Sequence, residues 1–289
     1  MPASRTGTIT APAVQARKGN GEPLVMVTAY DASSARIADE AGVDLILVGD
    51  SVAMVVLGHE DTLQVTVEEM AHHTAAAARA RPRAMLVADL PWLSYHLSPP
   101  ETVRNAAALV RAGARAVKLE GGRKRLPMVS AVLDAEIPVM GHLGLTPQSL
   151  HAMGGYKVQG RERAAAAALV DDAVALADAG CFCIVLEAIP STLAREITEA
   201  VAVPTIGIGA GPWCDGQVLV FHDLLGLEDR ITATFVRRYA SIKADAVAAV
   251  AEFARDVRAR RFPTEAESYG GGHTGAGLSG SRRGGSKTA

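Results

Sequence analysis

Five short apolar runs in this chain stop at side chains able to do acid–base or metal chemistry. Val48-Gly49 is followed by Asp50 and Ser51, and Ala88 by Asp89. Val117 is followed by Lys118 with Glu120 two residues on, Gly141 by His142, and Leu186 by Glu187. Two further runs end at Gly207-Ile208-Gly209-Ala210-Gly211 and at His222-Asp223. Asp50, Asp89 and Glu120 offer hard oxygen donors, which repel one another in one place unless a cation or a shared proton relieves them. No Cys or His grouping has zinc spacing, so Mg²⁺ with retained waters is the expected partner. Lys118 lies inside an apolar run, and a buried ammonium demands a carboxylate or a charged ligand. His142 reads equally as a core histidine that holds a loop or as a group that touches substrate. Taken singly, each acid reads equally as the N-cap of a following helix; taken together, caps are a poor account of them. Gly207, Gly209 and Gly211 lack the full dinucleotide fingerprint, and a close backbone approach to a ligand is the milder expectation. His72 and His73 fall mid-helix, where solvent or subunit packing explains them.

The elements that must position these groups repeat along the chain. Apolar, β-branched runs at 24–28, 44–48, 84–88, 115–119, 137–140, 182–186, 204–208 and 217–221 read as eight strands. They are nearly continuous rather than alternating, as parallel strands buried on both faces require. Helical stretches are expected over 33–41, 67–80, 100–112, 162–179 and 191–200, with Thr66 and Glu69 forming a capping box before the second. Eight strands with intervening helices point to a closed (β/α)₈ TIM barrel, whose active site lies at the C-terminal strand ends. The connection between the last two strands is about ten residues, near the lower limit for a crossover that contains a helix, so that unit reads as degenerate.

A barrel domain is expected over residues 1–267, with an N-terminal extension and one or two charged helices within 231–261. The Gly-, Ser- and Arg-rich stretch 268–289 reads as a disordered tail. Its GGGHTGAG run has neither the preceding strand nor the following helix of a nucleotide loop. Of the 289 residues 49% are hydrophobic and only 4% aromatic, which suits a core of small aliphatic side chains. A net charge of -2 gives no electrostatic case for nucleic acid or an acidic membrane. No apolar stretch has transmembrane length, and residues 1–20 show no secretory h-region, so a cytoplasmic protein is expected. Cys181, Cys183 and Cys214 have no framework spacing. Cys181 and Cys183 read as reduced, buried thiols pointing to one face of a strand.

The stretches VTAYDASSARIADEAG, LVGDSVAMVVLGHEDTLQVTVEEM, ADLPW, RAGARAVKLEGG, PVMGHLGLTPQSLHAMGGYKVQGR, VLEAIP and PTIGIGAG…DGQVLVFHDLLGL together resemble the ketopantoate hydroxymethyltransferase family from residue 10 to residue 265. GHLGLTPQS followed by GGYKVQG is the most specific part. The resemblance implies a (β/α)₈ barrel with one Mg²⁺ per subunit on Asp50, Asp89 and Glu120. It places substrate contacts on Asp50, Ser51, Asp89 and Lys118, and the catalytic base on Glu187. The implied reaction converts 3-methyl-2-oxobutanoate, 5,10-methylenetetrahydrofolate and water into 2-dehydropantoate and tetrahydrofolate, on the route to pantothenate. It also implies a large homo-oligomer, often a decamer of two stacked pentamers. Two rivals differ in class. A lyase or mutase acting on pyruvate-like 2-oxo acids would need an added acid on a loop, for which Cys214 is the candidate. A silent ligand-binding barrel would have no use for Glu187.

Overall fold

The computed structural model describes residues 7–228 and 233–269. In chain order its helices are α1 Ala11–Gln15, α2 Ala32–Glu40, α3 Val52–Val55, α4 Val67–Ala78, α5 Pro99–Arg111, α6 Leu126–Asp134, α7 Leu150–Met153, α8 Arg163–Asp178, α9 Ser191–Ala200, α10 Phe221–Leu225 and α11 Ile242–Arg258. The strands are β1 Leu24–Thr28, β2 Leu45–Val48, β3 Met85–Asp89, β4 Ala116–Glu120, β5 Val139–Gly144, β6 Cys183–Glu187, β7 Thr205–Ile208 and β8 Gly216–Leu219. Residues 1–241 and 242–289 form two separate compact units. All eight strands run parallel and close in sequence order, β8 pairing back onto β1.

The continuous apolar runs follow from this closure, because β2 to β7 are covered on both faces, whereas Val25 of β1 and Gln217 of β8 stay exposed. Alternate residues serve two cores. Met26, Leu45, Leu47, Met85, Val87 and Val185 fill the barrel interior. Val27, Ile46, Val48, Leu86, Val117 and Leu186 face the surrounding helices. The N-terminal extension is not passive. Ala11 and Val14 of α1 join the interior cluster, and the Ile9 N–H donates to the Arg83 carbonyl just before β3 at 2.9 Å. The segment therefore stoppers the N-terminal end of the barrel.

Thr66 and Glu69 form the expected reciprocal cap of α4, with bonds of 3.2 and 2.8 Å. Helix α6, which carries Pro127 near its start, is not among the expected helices. Pro127 falls in the first turn, where its missing N–H is not needed. No helix separates β7 from β8, as the short connection required. The expected shared face of Cys181 and Cys183 is not found. Cys181 precedes β6 and packs among the outer helices, while Cys183 points into the barrel. His73 is not left to solvent, since its Nδ1 lies 2.8 Å from the Tyr30 carbonyl.

In the second unit α11 is a single helix with no buried residue. The expected helical stretch at 231–261 is thus realised only over 242–258, and residues 229–232 within or beside it lie outside the described residues. So does the expected tail from residue 270 onward. Among the described residues, no helix is long and apolar enough to cross a membrane.

Gly144 ends β5 opposite Glu187, at φ +95°, and a Cβ there would overlap the Glu187 carbonyl oxygen. Gly144→Ala is therefore expected to destabilise the barrel by roughly 2–4 kcal/mol. A fall in the urea midpoint measures this, and an unchanged midpoint contradicts the close approach.

Candidate active site

Strand parity and register build the site before any loop contributes. The residues that point inward near the C-terminal strand ends are Asp89, Lys118, Glu120, His142 and Glu187, each two or four positions beyond an interior apolar residue. Neighbouring strands lie about 4.8 Å apart, so residues in register meet side by side. Asp89 is in register with Lys118, and Glu120 with His142. The Lys118 Nζ accordingly lies 2.8 Å from Asp89 Oδ1 and 3.2 Å from His142 Nδ1. His142 stands between two glutamates, with Nδ1 3.4 Å from Glu120 Oε1 and Nε2 3.2 Å from Glu187 Oε2. A lysine ammonium only donates. Neutral His142 accepts from Lys118 through Nδ1 and turns Nε2–H toward Glu187; cationic His142 turns both N–H groups to carboxylates.

Asp50 enters from the loop after β2. Its backbone N–H donates to Asp89 Oδ2 at 3.0 Å, and its Oδ2 accepts from Gln148 Nε2 at 2.8 Å. Ser51 is tied to the β1 side, its Oγ 2.8 Å from the Tyr30 hydroxyl. All the residues expected at the mouth therefore converge, except that Ser51 bonds to Tyr30 rather than to the charged cluster.

Burial sets the electrostatics. It pushes the Asp50 carboxyl well above the ordinary range, and the charges of Asp89 and Glu120 add to the shift. Burial also raises Asp89, outweighing the pull of Lys118. For Lys118, burial opposes the charge, but Asp89, Glu120 and Asp50 together raise its pKa. For His142, burial and Lys118 act downward, and its bonds to Glu120 and Glu187 carry it up to about 9. Asp89 Oδ1 and His142 Nε2 are buried without a well-aligned hydrogen bond. Charge alone holds them.

Sequence reasoning missed three polar residues here. Gln148 and Tyr95 are buried, and Tyr30 is sealed beneath Ser51. Tyr30 and Tyr95 sit on irregular segments and Gln148 in a single 3₁₀ turn, where no periodicity marks them; Tyr30, inside VTAYDASSARIADEAG, and Gln148, inside GHLGLTPQS, fell within the motifs. The glycine run after β7 is closely packed against neighbouring side chains. Gly209 lies under the Phe235 ring and Gly211 against Ser191. Cys214 lies at the other end of the barrel, before the start of β8 and beside Thr205 at the start of β7.

A family model described as Ketopantoate hydroxymethyltransferase matches residues 8–265. A protein of Methylobacterium sp. (strain 4-46) named 3-methyl-2-oxobutanoate hydroxymethyltransferase is 59% identical over 260 residues, 90% of each chain. One of the same name from Oleidesulfovibrio alaskensis (strain ATCC BAA-1058 / DSM 17464 / G20) is 55% identical over 268 residues, 92% of each chain. Among solved structures, a 2,3-dimethylmalate lyase of the PEP mutase/isocitrate lyase superfamily aligns at a TM-score of 0.56 and 20% identity. It covers 88% of this chain and 89% of that one, a likeness of fold alone.

Removing the one lysine from this cluster leaves Asp89 buried and unpaired. Lys118→Met is expected to cost about 3–5 kcal/mol of stability, and adding Asp89→Asn to recover most of it. Urea unfolding of the two variants checks this; equal stability of Lys118→Met and the parent would contradict the pairing.

Proposed function

The chain belongs to the ketopantoate hydroxymethyltransferase family, and from that premise we propose how its barrel mouth carries out the transfer to 3-methyl-2-oxobutanoate. Glu187 takes the proton from C3; the C–H electron pair becomes the C2–C3 double bond and the carbonyl pair moves onto the 2-oxo oxygen. C3 then bonds to the methylene carbon of 5,10-methylenetetrahydrofolate as the first of its two C–N bonds breaks, and the oxygen of water bonds to that carbon as the second breaks, the C3 proton and one proton of water ending on the two nitrogens of tetrahydrofolate.

One observation carries the assignment of the base. The Glu187 side chain keeps 16% exposure, where those of Asp89, Glu120 and His142 keep 2–3%. It is the carboxylate of the cluster with access to an entering substrate. A base must reach the proton it abstracts, and the more deeply buried acids have protein partners instead. His142, at Glu187 Oε2, fixes the direction of that carboxylate. Lys118 holds its positive charge beside the place where negative charge develops on the substrate, and Ser51 offers a hydroxyl to the substrate carboxylate.

The donor set fits a divalent cation in chemistry and in charge. Asp50, Asp89, Glu120 and Glu187 are gathered around Lys118 and His142, so acid outweighs base. Among the described residues no three His, Cys, Asp or Glu side chains already form a coordination cage, and the fit rests on the hard oxygens and their mutual repulsion. Asp50, Asp89 and Glu120 would hold Mg²⁺, which when bound polarises the 2-oxo group and balances charge on its oxygen.

The lyase or mutase alternative loses its acid. Cys214 lies at the opposite end of the barrel from Glu187, and burial pushes its thiol up. Self-association is favoured by α11, whose Val247, Val250, Phe253 and Val257 form an exposed apolar stripe. A cytoplasmic setting is consistent with three free, buried thiols.

Glu187→Gln is expected to lower kcat by about 10²–10⁴-fold with the KM for the 2-oxo acid little changed. Cys214→Ala, the control, should turn over close to normally. Steady-state formation of 2-dehydropantoate measures both; a fully active Glu187→Gln variant would remove the proposed base.

A further inference from the structure

Among the described residues, Gln148 hydrogen-bonds two of the three proposed metal ligands at once. Its side-chain Nε2 donates to Asp50 Oδ2 at 2.8 Å and to the Leu90 carbonyl at 3.0 Å. Its backbone N–H donates to Glu120 Oε2 at 3.0 Å. Its Oε1 accepts from the Tyr95 hydroxyl at 2.6 Å, and the Tyr95 oxygen in turn accepts from the Glu120 N–H at 3.3 Å. Gln148 and Tyr95 are 5% and 1% exposed, so water does not compete for these bonds.

The amide can face only one way. Reversed, it would set Oε1 against the Asp50 carboxylate and the Leu90 carbonyl, and the NH₂ against a Tyr95 oxygen that already accepts from the Glu120 N–H. The network thereby fixes both donors of Gln148 and ties the loops that follow β2, β3 and β5 to the end of β4. Its effect on the carboxylates is selective. Asp50 Oδ2 and Glu120 Oε2 are held by Gln148, and Asp89 Oδ2 by the Asp50 backbone. In each of the three acids one oxygen has an amide donor; the other faces Lys118 in Asp89 and His142 in Glu120.

We propose that Gln148 is a positioning residue for the metal site, with Tyr95 acting through it. The amide presets the carboxylates of Asp50 and Glu120 so that a divalent cation meets them already oriented. This rests on the reading of Asp50, Asp89 and Glu120 as ligands. Donors behind a metal's ligands commonly govern affinity by 10–100-fold, and a purely structural glutamine would leave affinity alone.

The test uses the full chain and Mn²⁺ alone, with free Mn²⁺ followed by electron paramagnetic resonance. Gln148→Met keeps the shape and removes the amide. Tyr95→Phe removes only the hydroxyl that orients the amide, and it serves if Gln148→Met fails to fold. The parent is expected to bind Mn²⁺, Gln148→Met to bind roughly 10–100-fold more weakly, and Tyr95→Phe to fall between them. The double variant should bind no more weakly than Gln148→Met. Mn²⁺ affinities of both single variants equal to the parent's would overturn the role of Gln148 while leaving the ligand assignment intact. A parent chain that does not bind Mn²⁺ would overturn the ligand assignment and this role with it.

Discussion

Everything at the barrel mouth depends on one constraint: buried acids outnumber the basic groups set among them. Asp89 and Lys118 meet at 2.8 Å, both nearly inaccessible to solvent. Around them Asp50, Glu120 and Glu187 bring further negative charge into a space with little water. Such an arrangement is costly to assemble unless each oxygen has a partner. The structure supplies those partners from Lys118, His142, the Gln148 amide and the Asp50 backbone. The repulsion that remains is the physical basis for expecting a cation there.

The fold supplies this arrangement through parity and register rather than through specialised loops. Interior residues such as Met85, Ala116, Met140 and Val185 begin the alternation that brings Asp89, Lys118, His142 and Glu187 to the same inner surface. The apolar lower half excludes water and keeps the charged upper half in a low-dielectric setting, where each ion pair is stronger than in solution. Helix α1 seals the lower end, so the interior opens toward the strand ends that carry the chemistry.

Much of this was legible in the sequence because it is written in strand periodicity. All eight strands were readable as apolar runs, and Asp89, Lys118, Glu120, His142 and Glu187 gather at their ends, whereas His222 and Asp223 fall in α10 beyond β8. The need of Lys118 for a carboxylate followed from its place inside such a run. What was not legible depends on tertiary contacts without a period. Gln148 and Tyr95 lie in loops and gain their meaning only when four strand ends meet. Helix α6 was not among the expected helices; its Pro127 stands in the first turn, where a missing N–H is not needed. Phe235 and Ser191 pack beside Gly209 and Gly211, contacts that no sequence period marks. Cys181 and Cys183 read as one face because the two-residue period was extended past the start of β6.

We propose that this mouth removes the C3 proton of 3-methyl-2-oxobutanoate. Incubating the full chain with that acid and Mg²⁺ in D₂O, with and without tetrahydrofolate, and following the C3 proton by NMR tests this. Enzyme-dependent loss of the C3 signal that EDTA suppresses is expected. A C3 signal that persists in every arm would contradict it, because the clustered carboxylates would then not be the enolising site.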